Sequence, residues 1–244
     1  MLMRVYKFLS ADIAQKVIAE RRLKISTFSE MNDPFELLGI VLTAAPHAVE
    51  FLEYFKTQTF ETLKRQTGAI CFSERWVDPV LWAHYADQHK GIALGFELDP
   101  SEDVGARRVA YVAAKQERNI TELLERLAAV IGADRQEQIK VMEAGAPLFE
   151  EILCTKFDHW AYEQEVRAFC NLHNEEGGKF FLNFQEAIKL KEVILGVRCA
   201  IEPTPTLAQL AGFNTDIKVI QATASEDAFA ILEDSGKTVV HSPH

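Results

Sequence analysis

Glu163 and Glu165, two residues apart in "FDHWAYEQEVRAFC" (157–170), are the residues whose type and spacing best suit acid–base or electrostatic chemistry. They sit where a helical pattern gives way to a strand-like one. A strand beginning near Tyr162 puts Glu163, Glu165 and Arg167 on one face, with Tyr162, Gln164 and Val166 on the other. Trp160 and Tyr162 bring amphipathic rings beside the carboxylates, and Lys156 and His159 lie within the preceding turn. Carboxylates hemmed by aromatic rings are candidates for a shifted pKa and for binding sugar hydroxyls. The same residues also fit a polar strand face on which Arg167 pairs with a glutamate and does nothing more.

Other segments carry weaker chemistry. In "SEMNDPFE", Asn32, Asp33 and Pro34 are turn formers, and Phe35 is expected to pin the turn to the core. The functional alternative puts Asp33 or Glu36 at a pocket rim. Ser73 ends the apolar strand "AICFSE", from which it could donate to a ligand, but no GxSxG elbow surrounds it. In "LWAHYADQHKG", Leu81, Trp82 and Tyr85 share one helical stripe. His84 and His89 stand five apart, a poor spacing for two metal ligands on one helix face. A metal-dependent hydrolase would need Asp33, Glu36, Glu163 and Glu165 as oxygen ligands.

Composition bounds the partners. With 36 acidic against 26 basic residues the net charge is −10, which argues against broad attraction to nucleic acid or an anionic membrane. The four cysteines, Cys71, Cys154, Cys170 and Cys199, show no zinc spacing and read as buried free thiols. "MLMRVYKFLSADIAQ" has too short an apolar run for a signal peptide, and no stretch approaches a membrane span, so a cytoplasmic protein is expected.

The elements that must position these residues follow from periodicity. "RVYKFLS" reads as a strand, with Ser10 capping a helix to about Arg22. "LKISTFS" is a second strand, and 46–66 an amphipathic helix. Asp78 as cap, Pro79 at the first position and Gly91 as stop mark a further helix. "IALGFEL" reads as a central strand with "RRVAYVA" as its neighbour. Residues 119–142 and 147–162 read as helices, and "EVRAFCNL" with "KFFLNF" as a hairpin. "EVILGV", "IKVIQA", "AFAIL" and "TVV" make the C-terminal half strand-rich, and "EPTPT" starts a helix. Strands and helices do not alternate as βαβ units. The expected class is therefore α+β, a single domain over 1–244 with a mixed or antiparallel sheet flanked by helices.

Taken together, "YKF", "KISTFSEMNDPFE", "ICFSE", "LWAHYADQHKGIALGFE", "KFDHWAYEQEVR" and "VILGV" resemble the bacterial domain-of-unknown-function family 2971. That resemblance covers about residues 6–197, leaving 198–244 as a strand-rich extension, and implies no activity. More distantly, the order of elements resembles the ADP-ribosyltransferase fold, in which many members carry Glu-x-Glu before a strand, as "EQEVRAF" does. This resemblance implies NAD as substrate, Glu165 as catalytic glutamate and Glu163 as its partner. It further implies that Lys7, Tyr6, Ser73, Tyr85 and Trp160 line the cofactor pocket, with Lys7 where the family has arginine or histidine. Lys7 or Arg4 would then offset the pyrophosphate charge. The expected function is an NAD-using transferase or glycohydrolase whose partner is a nucleotide-type small molecule, with the macromolecular acceptor unassigned. The alternative is a non-catalytic ligand- or partner-binding module, in which Trp82, Tyr85 and Trp160 shape an aromatic pocket.

Overall fold

Alternating side chains in two central strands, "MRVYKFL" and "IALGFEL", divide one sheet into two differently filled faces. The computed structural model describes residues 2–98, 105–184 and 188–243. The chain opens with β1 (Met3–Leu9), α1 (Ala11–Glu20), β2 (Arg22–Thr27), β3 (Ile40–Thr43), α2 (Val49–Gln66) and β4 (Thr67–Ser73). The middle holds α3 (Pro79–Tyr85), β5 (Ile92–Leu98), β6 (Gly105–Arg108), β7 (Ala110–Val112) and β8 (Gln116–Asn119). Then come α4 (Thr121–Ala129), α5 (Arg135–Leu153), β9 (Thr155–Phe157) and a 3-10 helix, Asp158–Glu163. The last elements are β10 (Glu165–Asn171), β11 (Phe180–Asn183), β12 (Ile188–Leu195), α6 (Pro203–Gln209), β13 (Ile217–Ala224), β14 (Ile231–Glu233) and β15 (Val239–His241). The fold class is α+β with a mixed sheet, as expected.

The chain divides into two compact units. One takes in the residues up to Ile25, Ala69–Arg107 and those from Tyr162 onward; the other is Ser26–Gly68 with Arg108–Ala161. The first unit is built on a sheet with the order β11-β2-β4-β1-β5-β12-β13-β14; β10 joins at β4, β6 at β10 and β15 at β13. β1 runs antiparallel to β5 from Met3↔Leu98 to Leu9↔Ile92, while β12 and β13 are parallel. Val5, Ile70, Phe72, Leu94, Phe96, Val166, Ala168 and Val193 pack in the larger core cluster. Tyr6, Phe8, Ala93 and Ile194 alternate with them onto the opposite face, against Leu81 and Trp82 of α3. Trp82 is fully buried, meets Phe8 edge to face at 5.2 Å, and its indole Nε1–H donates to the Trp76 carbonyl at 2.6 Å. Burial on this scale is worth about 1.5–3 kcal/mol per large side chain, and the bonded indole avoids the cost of an orphaned donor.

The second unit holds two parallel pairs, β3 with β8 and β7 with β9, beside α2, α4 and α5. Arg118 holds Glu151 there, with its Nε donating at 3.0 Å. No helix among the described residues is long and apolar enough to cross a membrane.

Several local expectations are corrected. The 147–162 pattern is not one helix. α5 starts earlier, at Arg135, because Gly132 turns the chain at φ 83° and Asp134 caps the new helix by accepting from Gln136 N and Glu137 N. Pro147 lies inside α5 instead of starting a helix. "RRVAYVA" does not neighbour β5: its residues split between β6, beside β10, and β7, beside β9. The 165–184 hairpin does not form either, since β10 pairs with β4 and β6 while β11 pairs with β2. Long-range partners with buried faces outcompete the local turn. Gly91 is not the stop of α3, which ends at Tyr85. Its role is close approach, because a Cβ there would lie 2.1 Å from the Leu9 carbonyl oxygen. Phe35 does not pin its turn to the core: it is 59% exposed, with Lys115 Nζ 5.5 Å from its ring centroid. Asp33 does make the expected Asx turn, accepting from Phe35 N at 2.9 Å.

Candidate functional site

In the first unit the two glutamates arrive differently from the expected strand face. The strand begins at Glu165, not near Tyr162; Glu163 ends the 3-10 helix, and Gln164 between them is left-handed, with φ 42°. A non-glycine residue in that region costs about 1–2 kcal/mol. Such strain persists only where surrounding contacts over-determine it, and it clusters at functional sites. Here the Gln164 carbonyl accepts from Glu74 N at 3.0 Å, which ties the turn to the end of β4.

The kink sends the carboxylates to separate partners. Glu163, 6% exposed, accepts from the Tyr85 hydroxyl at 2.5 Å. Tyr85 is the last residue of α3, a helix that begins at Pro79 with Asp78 accepting from Val80 N. The rings of His84 and Tyr162 lie 6.4 Å apart beside it. Glu165, 4% exposed, takes both forks of Arg167: Nε donates to Oε1 at 2.8 Å and Nη2 to Oε2 at 3.1 Å. Arg167 is fully buried. A buried, bidentate guanidinium fixes carboxylate orientation more strictly than any exposed pair.

Alternation places the neighbours. Ile70, Phe72, Val166 and Ala168 fill the larger core, so Cys71, Ser73, Glu165 and Arg167 turn to the other face of the adjacent strands β4 and β10. Burial pushes the Cys71 thiol far above its ordinary range, with the Glu165 carboxylate adding to the shift and Lys7 and Arg167 opposing it. Ser73 is buried; its hydroxyl accepts from Arg75 N at 3.2 Å, and its Cα stands opposite Tyr6. That is the sole register pair between β1 and β4 among the described residues. Where the strands part, Lys7 Nζ donates to the Cys71 carbonyl at 2.9 Å, in place of a ladder N–H.

Tyr6 belongs to a different polar group on the same sheet face. Its phenol is raised well above the usual range by burial and then by Glu192. Arg4 pairs with Glu192 at 2.9 Å and Glu97 at 3.4 Å. Gly95 leaves room for these side chains, since a Cβ there would lie 2.8 Å from Glu192 and 3.0 Å from the Tyr6 ring.

Lys7, Ser73 and Glu165 thus lie on the adjacent strands β1, β4 and β10, and Tyr85 is joined to Glu163. Ser73 and Glu165 share a sheet face, whereas Lys7 alternates with Val5 and Leu9 onto the other and reaches the Cys71 carbonyl. Trp160 belongs to the second unit. There Lys156 Nζ lies 4.9 Å from its ring centroid and 3.6 Å from Glu36, in an ion pair with both side chains almost wholly buried. Sequence reasoning did not single out Cys71 or Arg167 as members of the site. Arg167 was legible as an i, i+2 strand neighbour of Glu165; Cys71 carried no signal beyond an apolar run. Among the described residues no group of three or more His, Cys, Asp or Glu is arranged to hold a metal ion.

No curated protein and no solved structure matches the chain. A family model does match from α3 into β10, a stretch that contains Tyr85, Trp160, Glu163, Glu165 and Arg167. The expected resemblance therefore holds there: residues 81–168 match DUF2971, a protein family of unknown function.

Proposed function

We propose that the protein cleaves the nicotinamide–ribose bond of NAD, as an ADP-ribosyltransferase-like or NAD glycohydrolase-like enzyme. One observation carries this reading: two buried carboxylates are delivered from either side of the strained Gln164, each oriented by its own donor. Preorganised carboxylates suit a reaction in which positive charge develops on a sugar. The bond between ribose C1' and the nicotinamide nitrogen breaks, and its electron pair leaves with the now neutral ring. Glu165 accepts from the ribose 2'-hydroxyl and offsets the charge at C1'. Glu163, positioned by Tyr85, orients the attacking water or acceptor hydroxyl. The new bond forms at C1' as the nucleophile's proton passes to the carboxylate and on to solvent. Four free cysteines support a cytoplasmic setting.

A second reading, a non-catalytic binding module, is favoured by the two Arg167 hydrogen bonds that occupy both Glu165 oxygens. Nicotinamide release on incubation with NAD separates the two. The enzyme reading expects release by the wild type and its loss in Glu165→Gln. The variant is assayed well below its melting temperature, with circular dichroism confirming that it is folded, because the substitution takes its carboxylate from the buried Arg167 and lowers stability. Wild-type release from Glu165→Gln would refute the assignment of Glu165. Bound NAD that stays intact, with an affinity that Glu165→Gln leaves unchanged, would establish the second reading.

A further inference from the structure

Three loops of the first unit meet at a small pocket beside Gln164. Arg75, Asp78, Tyr162, Gln164 and Phe229 are among the residues that line it, and its volume is about 160 Å³. Backbone hydrogen bonds stitch the loops together: Glu74 N donates to the Gln164 carbonyl at 3.0 Å, and Ile231 N to the Val77 carbonyl at 2.8 Å. Trp82 anchors the first loop through the Trp76 carbonyl. The third loop is closed on itself, with Ser225 N donating to the Ala230 carbonyl and Ser225 Oγ accepting from Asp227 N and Ala228 N. Phe229 is therefore presented at the tip of a hydrogen-bonded loop, yet its ring is fully exposed. An apolar ring held in water next to a pocket has no folding purpose, and it offers a stacking surface. The Arg75 guanidinium is also exposed, and among the described residues it makes no ion pair. Asp78, the pocket's carboxylate, has Oδ1 occupied by the cap of α3.

A pocket of this size lies below the roughly 300–1,000 Å³ of a whole-ligand site, so it takes one group of a larger molecule. An exposed aromatic face, a guanidinium and the amide of Gln164 together recognise a planar ring that carries a phosphate. We infer that this pocket is a mononucleotide subsite, in which one ring of the substrate stacks on Phe229 and its phosphate pairs with Arg75. The inference deepens the proposed function and rests on it for the choice of nucleotide. It also supplies the phosphate cation, since Lys7 is bonded to the Cys71 carbonyl and Arg4 is paired with Glu97 and Glu192.

The test is isothermal titration of the full chain with adenosine monophosphate, adenosine and inorganic phosphate, on wild type, Arg75→Ala and Phe229→Ala. Both side chains are exposed, so both variants are expected to melt like the wild type. Adenosine monophosphate should bind more tightly than adenosine or phosphate. Arg75→Ala should raise its Kd about tenfold and leave adenosine unchanged, as loss of a charge-assisted contact requires. Phe229→Ala should raise the Kd of both nucleobase ligands about fivefold or more, the scale of one stacked base. Equal affinities for adenosine and its monophosphate, wild-type affinities in both variants, or no binding at millimolar ligand would each overturn the subsite. Nicotinamide release assayed on the same samples keeps the two readings apart. Release with affinities indifferent to both variants sinks the subsite alone, whereas Arg75-dependent binding without release sinks the enzyme and leaves the subsite standing.

Discussion

Replacing Arg167 with Met removes a fully buried guanidinium while keeping much of its volume. Glu165, 4% exposed, loses donors at 2.8 and 3.1 Å and has little water to replace them. Breaking one side of a buried ion pair costs about 3–5 kcal/mol, set against a typical total stability of about 5–15 kcal/mol. With a urea m-value of about 2 kcal/mol/M, the unfolding midpoint should fall by about 2 M. The double variant Glu165→Gln/Arg167→Met removes the buried charge as well, so it should recover a large part of the loss. Arg22 is the control, since it pairs near the surface with Glu176 at 2.6 Å and Glu20 at 2.7 Å beside the Phe181 ring, and Arg22→Met should move the midpoint far less than Arg167→Met does. Urea titrations followed by tryptophan fluorescence and circular dichroism measure all three. A loss below about 1 kcal/mol in Arg167→Met, or a double variant less stable than the single, would refute the buried-pair reasoning.

Two further outcomes are expected. Gln164→Gly frees the left-handed position and should hold or raise stability by up to about 1 kcal/mol, while loosening the link between Glu163 and Glu165 should slow nicotinamide release. A thermal melt that falls as far as that of Gln164→Ala would show that the φ is unstrained. Cys170 is pushed up to about 11 from 9.0 by burial, so the folded protein keeps this proton longer than the unfolded chain does. Its stabilising contribution is therefore complete below about pH 9 and is lost between pH 9 and 11, on the order of 2 kcal/mol. Cys170→Ala should flatten the stability curve in that window, and an unchanged slope would contradict the assigned burial effect.

Legibility followed the range of the interactions. β1, α1, β2 and α2 were visible by apolar periodicity and the start of α3 by its Asp78 cap and Pro79, signals that act within a few residues; Ser10 stands at the N-cap position of α1 but its side chain makes no cap bond. The start of α6 at Pro203 was visible for the same reason. β10 and β11 were legible as strands, but their pairing was not. A turn at 173–178 proposes a hairpin, and only the buried faces of β4 and β2 decide against it. Glu163 and Glu165 were conspicuous by spacing. That they occupy separate hydrogen-bonded niches depends on Gln164 adopting φ 42°, which no propensity for glutamine foretells.

What the sequence determined by itself is thus chemical and local: an acidic chain, an α+β pattern, free thiols, and a Glu-x-Glu pair ahead of an apolar strand. The pairing of Arg167 with a glutamate was legible from alternation; only the tertiary structure decided that Glu165 takes both forks, that Cys71 lies near it, that Tyr85 holds Glu163, and that Lys7 fills the split between β1 and β4. It also brought Phe229 to Gln164, 65 positions earlier in the chain, at the rim of one pocket. The physical reason is that burial and pairing energies accrue between residues distant in sequence, where local periodicity carries no record of which faces will meet.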